Sequence, residues 1–295
     1  MNLAPIVLFV YNRARHTRLT VEALQRNILA SKSDLFIYAD GPSCSDDFDK
    51  ISEVLTYIRT VDKFRSVTIV ERDKNFGLAS SIPTGVTELV NNYGKIIVLE
   101  DDIVTSPYFL LYMNEALERY RDSEKLMHIA GYMYPIDTSD LPQTILFRQT
   151  SCWGWATWQR AWRCFEPDAP LLASRFDRQQ RYHFNIEGSY NFWEHLRLNC
   201  TGSWDTWAIK WYASVFLSGG LCLHPVRSLV LNIGLDASGT NCGSTNKFDV
   251  VVADEAVVEF DETSEENQIA LARIREFLRP SLMVRMLHAF RSLLH

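Results

Sequence analysis

Four short apolar runs mark the first third of the chain: Ile6–Val10, Leu35–Ala39, Val67–Val70 and Lys95–Leu99. They are rich in Val, Ile and aromatic residues and do not alternate with polar positions. That is the pattern of strands covered on both faces. The gaps between them read as helices. Val21, Leu24 and Ile28 share one face of the first gap. Ile51, Val54, Leu55 and Ile58 follow the i, i+3, i+4, i+7 spacing in the second, and Ile82, Val86, Leu89 and Val90 nearly do so in the third. The order β-α-β-α-β-α-β predicts an α/β fold with a mostly parallel, doubly wound central sheet flanked by helices.

In such sheets ligands bind beyond the carboxyl ends of the strands. The residues there are polar or contain glycine each time: Tyr11-Asn12-Arg13, Asp40-Gly41-Pro42, Asn75-Phe76-Gly77-Leu78 and Glu100-Asp101-Asp102. All four segments are expected on one rim.

The second half has a more irregular texture. Trp153, Trp155, Trp158 and Trp162 crowd together, and Trp204-Asp205-Thr206-Trp207 opens a helical stretch to Leu217. Gly219-Gly220 breaks that stretch, and strand-like segments follow at Leu221–His224 and Val230–Ile233. Thr263-Ser-Glu-Glu266 fits a capping box starting a helix that carries Ile269, Ile274, Phe277 and Leu278. The last stretch, Ser281–His295, is amphipathic and basic. It suits an anionic membrane surface, a partner, or packing on the domain.

Composition narrows the function classes. Of 295 residues, 47% are hydrophobic and 22% charged, which excludes a mostly disordered chain. The formal net charge of −6 shows no basic excess for general nucleic-acid binding. Cys44, Cys152, Cys164, Cys200, Cys222 and Cys242 include no C-x-x-C pair, so a zinc ribbon is not expected. The apolar run near Met1 reads as a first strand and not a signal peptide, and no run is long enough to span a membrane. A cytoplasmic protein, peripheral at most to the inner membrane, is the expectation.

The sharpest chemical signal is Glu100-Asp101-Asp102. Three adjacent carboxylates at the mouth of an apolar strand repel one another unless a cation sits there. Mg²⁺ and Mn²⁺ take such oxygen ligands together with substrate phosphates. A solvated, helix-capping loop is the bland alternative. Arg13 could equally be a surface cation at a helix start, Asp40-Gly41 a turn, and each tryptophan part of the core. Asp205, between two indoles, would be partly desolvated and a candidate general base, or else a helix cap, with Asp236 as runner-up base.

Val98-Leu99-Glu100-Asp101-Asp102 followed by Pro107-Tyr108-Phe109 resembles the metal and sugar-nucleotide motif of the GT-A glycosyltransferases. The likeness is to the N-acetylglucosaminyltransferase I-like enzymes and similar bacterial, family 2-like transferases. Val10-Tyr11-Asn12-Arg13, the segment from Asn75 to Ile82, Trp153-Gly154-Trp155 and Trp204-Asp205 occur in the expected order, over residues 4 to 245. The resemblance implies Asp102 as the direct metal ligand. It implies Glu100 and Asp101 as groups orienting ribose, donor sugar or metal-bound water. Tyr11, Asn12, Arg13 and Asp40 would face the nucleotide, with Arg13 pairing a phosphate and Asp40 accepting from base or ribose. Asn75, Gly77 and Leu78 would lie along it. Trp153, Gly154 and Trp155 would shape the sugar and acceptor pocket, and Asp205 would be the catalytic base. The family pattern has a histidine in a Gly-Thr-His-type segment where this chain reads Ser238-Gly239-Thr240-Asn241-Cys242. Asn241 still offers an oxygen to the metal.

The expected activity is Mn²⁺- or Mg²⁺-dependent transfer, with inversion, from a nucleoside diphosphate sugar of the UDP-GlcNAc type. The acceptor would be a saccharide or lipid-linked glycan in bacterial surface polysaccharide or lipopolysaccharide synthesis. The alternatives are a sugar nucleotidyltransferase and a non-catalytic carbohydrate-binding protein of the same fold. The expected organisation is a transferase domain over 1–250, with a nucleotide-sugar part (1–105) and an acceptor part (106–250), then a helical extension over 251–295.

Overall fold

The four apolar runs form the strands β1 (Ile6–Val10), β2 (Asp34–Ala39), β3 (Ser66–Glu71) and β4 (Lys95–Glu100) in a computed structural model that describes residues 2–237 and 244–279. They lie side by side in the order β3-β2-β1-β4, all parallel. Every residue of β1 is buried, as the absence of alternation requires. Between them run α1 (Ala14–Gln25), α2 (Phe48–Ile58) and α3 (Leu78–Tyr93). Val21, Leu24, Ile51, Val54, Ile58, Ile82, Val86, Leu89 and Val90 all turn inward. Ile28 does not. The first helix ends before it, and Ile28 is exposed where its N–H meets the Pro107 carbonyl.

The rest of the chain is β5 (Ile103–Thr105), α4 (Phe109–Arg119), β6 (Leu126–Ala130), β7 (Thr144–Phe147), β8 (Trp155–Trp158), α5 (Gln159–Trp162), α6 (Ala169–Ser174), α7 (Arg178–Phe184), α8 (Phe192–Cys200), α9 (Trp207–Leu217), β9 (Leu221–Pro225), β10 (Val230–Asn232) and α10 (Gln268–Leu278). The main sheet continues β4-β8-β6-β9-β7. β8 is antiparallel to both β4 and β6, and β7 is antiparallel to β9. The result is a mixed α/β fold with a large, mostly parallel central sheet flanked by helices. β5 and β10 pair separately as a small antiparallel ribbon beside the end of β4.

Two apolar clusters fill the interior. One lies around the first strands and helices and extends to Trp155, Trp207 and Trp211. The other joins β7, α8 and α9 to Ala270, Leu271, Ile274 and Leu278 of α10. The cap of α10 differs from the expected capping box. Asn267 accepts from the Ala270 N–H at 2.9 Å, while the Thr263 hydroxyl bonds Asp261. Cys44, Cys164, Cys200 and Cys222 carry free thiols. Among the described residues no helix is long and apolar enough to cross a membrane. The stretch Ser281–His295 and Asn241 lie outside the described residues.

Candidate functional site

A cleft of about 520 Å³ opens at the carboxyl ends of β1, β2 and β4. It is lined by Tyr11, Asn12, Arg13, Asp40, Asn75, Gly77, Leu78, Glu100, Asp101, Asp102 and Asp205, so segments far apart in the chain converge on one rim. Phe9, Ser43, Phe76, Ala79 and Ser81 complete the lining.

Arg13 follows β1 and reaches across to the acidic triplet after β4. Its Nη2 bonds Asp101 and, at 2.9 Å, Asp102 Oδ2, and its Nε lies 3.3 Å from Asp101 Oδ2. Burial works against the guanidinium charge, yet Asp101 and Asp102 outweigh it and raise the Arg13 pKa above its usual value. Burial, reinforced by Asp102 and Asp101, pushes Glu100 well above the usual carboxylate range. Burial raises Asp101 to about 6 even with Arg13 pulling the other way. The Arg13 guanidinium is therefore bonded to carboxylates, and its first role is to hold Asp101 and Asp102 in place. Among the described residues its buried Nη1 has no partner.

The triplet is braced from behind. Thr20 Oγ1 donates to the Asp101 carbonyl at 2.8 Å, and the Ile233 N–H to the Asp102 carbonyl at 2.9 Å. Gly234 lies against the Asp102 carboxylate so closely that a Cβ there would stand 2.1 Å from Oδ2. His16 Nε2 and Asp236 Oδ2, 3.2 Å apart, tie the same loop to α1. Asp236 is thus engaged with His16 beside the triplet.

The other wall is built around two carboxylates. Asp47 accepts from Tyr11 Oη at 2.5 Å, Asn12 Nδ2 at 2.9 Å and Ser43 Oγ at 2.7 Å. These hydrogen bonds hold Asp47 well below the usual carboxylate range. Burial, with Asp47 adding to it, raises the Tyr11 phenol. Asp40 accepts from the Phe76 N–H at 2.9 Å and the Gly77 N–H at 3.0 Å, so its carboxylate anchors the loop that precedes α3. Asn75 donates to the Gly41 carbonyl at 3.0 Å. Gly77 has φ +69° and ψ +154°, a conformation open essentially to glycine alone, and it starts α3 without a side-chain cap. The positive end of that 16-residue helix therefore lies beside the cleft, with the Asp40 carboxylate on the Gly77 N–H and no cap from Gly77 itself.

Three expectations change. Trp155 is fully buried in β8, stacked between His128 and Trp207, so it presents no face to a sugar. Gly154 allows close packing, because a Cβ would meet Val230 at 3.0 Å, and Trp153 packs edge-on against Tyr132. None of the three lines the cleft. Asp205 does line it, but the expected desolvation is not there. Its side chain is 70% exposed and pairs with Lys210 at 2.9 Å. Nor does it cap α9, which starts after Thr206 without a side-chain cap.

Sequence reasoning missed Asp47 and Gly234. Ser45-Asp46-Asp47 before a helical pattern reads as a cap, yet the Asp47 carboxylate turns back to the end of β1. Only close approach to Asp102 distinguishes Gly234 from any loop glycine.

Among the described residues, no group of three or more His, Cys, Asp or Glu side chains is arranged to hold a metal alone. Mg²⁺ and Mn²⁺ sites completed by phosphates need only one or two carboxylates. Asp102 is a hard oxygen donor that lines the cleft, and Arg13 and Gly234 hold its carboxylate in place through Oδ2, so the residues present supply the one carboxylate such an ion needs.

No family model and no curated protein matches the chain. Among solved structures it is similar to S. aureus TarS (residues 1–349), at 10% identity and TM-score 0.37, over 52% of this chain and 47% of that one. The chain thus spans about half the length of that structure. It is also similar to the mannosyltransferase PcManGT from Pyrobaculum calidifontis, solved with GDP-Man and Mn²⁺, at 11% identity and TM-score 0.43, over 73% and 72% of the two chains.

Proposed function

We propose that this protein is a divalent-metal-dependent glycosyltransferase. It moves a sugar, with inversion, from a nucleoside diphosphate donor to a saccharide or lipid-linked acceptor. The observation that carries the reading is the meeting of Glu100-Asp101-Asp102, Arg13 and Asp205 in one cleft beside the start of α3. The cleft gathers five acidic side chains, counting Asp40; Arg13 holds Asp101 and Asp102, Arg72 stands 3.9 Å from Asp40, and Lys210 pairs with Asp205. With the Arg13 guanidinium taken up by carboxylates, a divalent ion is the group that would neutralise a diphosphate here.

Asp102 would hold the ion, which supplies charge neutralisation at the diphosphate leaving group. Arg13 fixes the carboxylates that orient the donor. Tyr11, Asn12, Asn75, Gly77 and Leu78 line the donor side. Asp205 takes the proton from the acceptor hydroxyl as its oxygen attacks the anomeric carbon and the sugar–phosphate bond breaks. General-base help of this kind is worth roughly 10²–10⁴-fold. The resemblance makes UDP-GlcNAc the first donor to try and bacterial surface polysaccharide the context.

Release of nucleoside diphosphate from a panel of nucleotide sugars, with and without Mn²⁺, tests the reading. Asp102→Ala abolishes turnover. Asp205→Ala lowers turnover but leaves donor binding intact. Full activity in both variants overturns it. Release of pyrophosphate from a nucleoside triphosphate would mark a nucleotidyltransferase, and sugar binding without turnover a lectin-like protein.

A further inference from the structure

The cleft lining ends at Asp205, and the residue before it in the chain, Trp204, stands outside that lining. Consecutive Cα atoms are about 3.8 Å apart, so Trp204 sits at the mouth. All eight tryptophans of the chain lie among the described residues. Seven are buried or half-buried, whereas Trp204 is exposed by 45%.

Trp204 is held there by a built turn. The chain reverses at Gly202, which has φ +70°, and the Ser203 and Trp204 N–H groups both reach the Leu198 carbonyl, at 3.1 and 3.2 Å. Asn199 stitches the turn together. Its Nδ2 donates to the His195 carbonyl at 2.8 Å and to Thr206 Oγ1 at 3.2 Å, and its Oδ1 accepts from the Thr206 N–H at 2.8 Å. The indole meets the His195 ring edge-on at 5.0 Å.

The aromatic surface continues beyond this ring. His195 touches Tyr190 at 5.5 Å and Phe192 at 6.1 Å, and all three are half-buried. Burial lowers the His195 pKa, so at neutral pH its ring is uncharged like its neighbours. The rim around Trp204 is polar: Thr201, Ser203 and Asp205 are exposed, and Lys210 pairs with Asp205 at 2.9 Å. A single exposed apolar side chain needs no explanation, whereas contiguous rings with a polar rim mark a ligand surface.

Platform and rim together point to one ligand class. An acyl chain needs apolar surface along its whole length. A pyranose has an apolar C–H face and hydroxyls at its edge, so it can lie on an indole while its hydroxyls reach the rim. A ring seated on Trp204 also brings a hydroxyl towards Asp205, the proton acceptor of the transferase reading.

We infer that Trp204 is the platform on which the reacting sugar ring of the acceptor stacks, outside the donor cleft, so that the acceptor presents a pyranose and not a lipid to Asp205. The inference rests on the transferase reading above and deepens it.

Two measurements on the full chain test it. In protein labelled with 5-fluorotryptophan, the ¹⁹F signal of Trp204 is the one that Trp204→Phe removes. Titration with the methyl glycosides of glucose, galactose, mannose and N-acetylglucosamine should shift that signal saturably with at least one of them. A signal that none of the four moves overturns the inference. In the second measurement, nucleoside diphosphate release is followed with the glycoside that binds and a nucleotide sugar that the chain turns over. Trp204→Ala should raise the KM for the glycoside at least about fivefold, with the donor KM near the wild-type value. Trp204→Phe should recover most of the loss. A wild-type glycoside KM in Trp204→Ala overturns the inference, and so does an equal rise in the donor KM. Nucleoside diphosphate release without any shift of the Trp204 signal leaves the transferase reading standing and sinks this inference alone. A saturable shift in a chain that turns over no nucleotide sugar supports the sugar platform and sinks the transferase reading alone.

Discussion

Replacing Gly234 by Ala adds one methyl group at the point where the loop after β10 touches the Asp102 carboxylate. The added carbon would lie 2.1 Å from Asp102 Oδ2, 2.8 Å from its Cγ and 3.0 Å from Arg13 Nη1. The backbone of Gly234 is not left-handed, so alanine meets no conformational penalty and the contact alone is tested. Carbon and oxygen need more than 3 Å, so something must move by about 1 Å. The loop is poorly placed to yield. The Ile233 N–H is bonded to the Asp102 carbonyl at 2.9 Å, and the Gly234 N–H to Asn232 Oδ1 at 2.7 Å. The short aspartate side chain is the softer element, and its 2.9 Å bond to Arg13 breaks as it swings. A displacement of about 1 Å at a reacting centre typically lowers the rate about 10²-fold. Overpacking adds about 1–3 kcal/mol of destabilisation. Steady-state assay of nucleoside diphosphate release as a function of Mn²⁺ should show kcat/KM down about 10²-fold and a higher Mn²⁺ requirement. Thermal unfolding should show a folded protein. Wild-type turnover at wild-type Mn²⁺ would refute the placement of Asp102 at the reacting centre.

Removing the guanidinium by Arg13→Met leaves Asp101 and Asp102 buried without their cation, and urea unfolding at pH 7 should lose about 3–5 kcal/mol. His128 accepts from Trp211 Nε1 at 3.1 Å through Nδ1, which leaves Nε2–H to donate to the Ser151 carbonyl. Burial, with His224 nearby, lowers its pKa to about 3. The folded ring therefore stays neutral where the unfolded ring takes a proton, so stability is full above about pH 6.5 and falls as pH drops towards 3. In His128→Gln the slope of stability against pH near pH 5 should be shallower by about 1.4 kcal/mol per pH unit. Trp155 Nε1 is buried without a partner, whereas Trp211 Nε1 supports His128. By urea unfolding, Trp211→Phe should therefore cost about 1–3 kcal/mol more than Trp155→Phe.

The strand-ends that form the cleft were legible because each follows an apolar run buried on both faces, a pattern carried by a handful of adjacent residues. The same local reasoning placed Val54, Ile58, Val86 and Val90 inside. It failed where contacts are distant in sequence. Asp47 meets Tyr11 and Asn12 across 36 and 35 positions, and no spacing rule records that. The antiparallel course of β8 between β4 and β6 depends on pairings such as Val98 with Trp155, which hydrophobicity alone does not encode. The tryptophan cluster misled for a related reason. Indole serves cores and sugar sites alike, and only burial separates the two. The environment of Asp205 was misjudged because the two neighbouring indoles suggested desolvation, whereas the residue sits exposed just before α9 and Lys210 in that helix reaches back to pair with it.

The position of β8 in the sheet also bears on how the chain is made. When β4 leaves the ribosome, the strand that will cover its open edge has not yet been synthesised, because Trp155–Trp158 lies more than fifty positions further on. At roughly 5–20 residues per second that edge stays bare for several seconds. Nascent chains halted after β4 has emerged and before β8 has should therefore be the species that chaperones capture and that aggregate first, since an unpaired apolar strand edge recruits other strands.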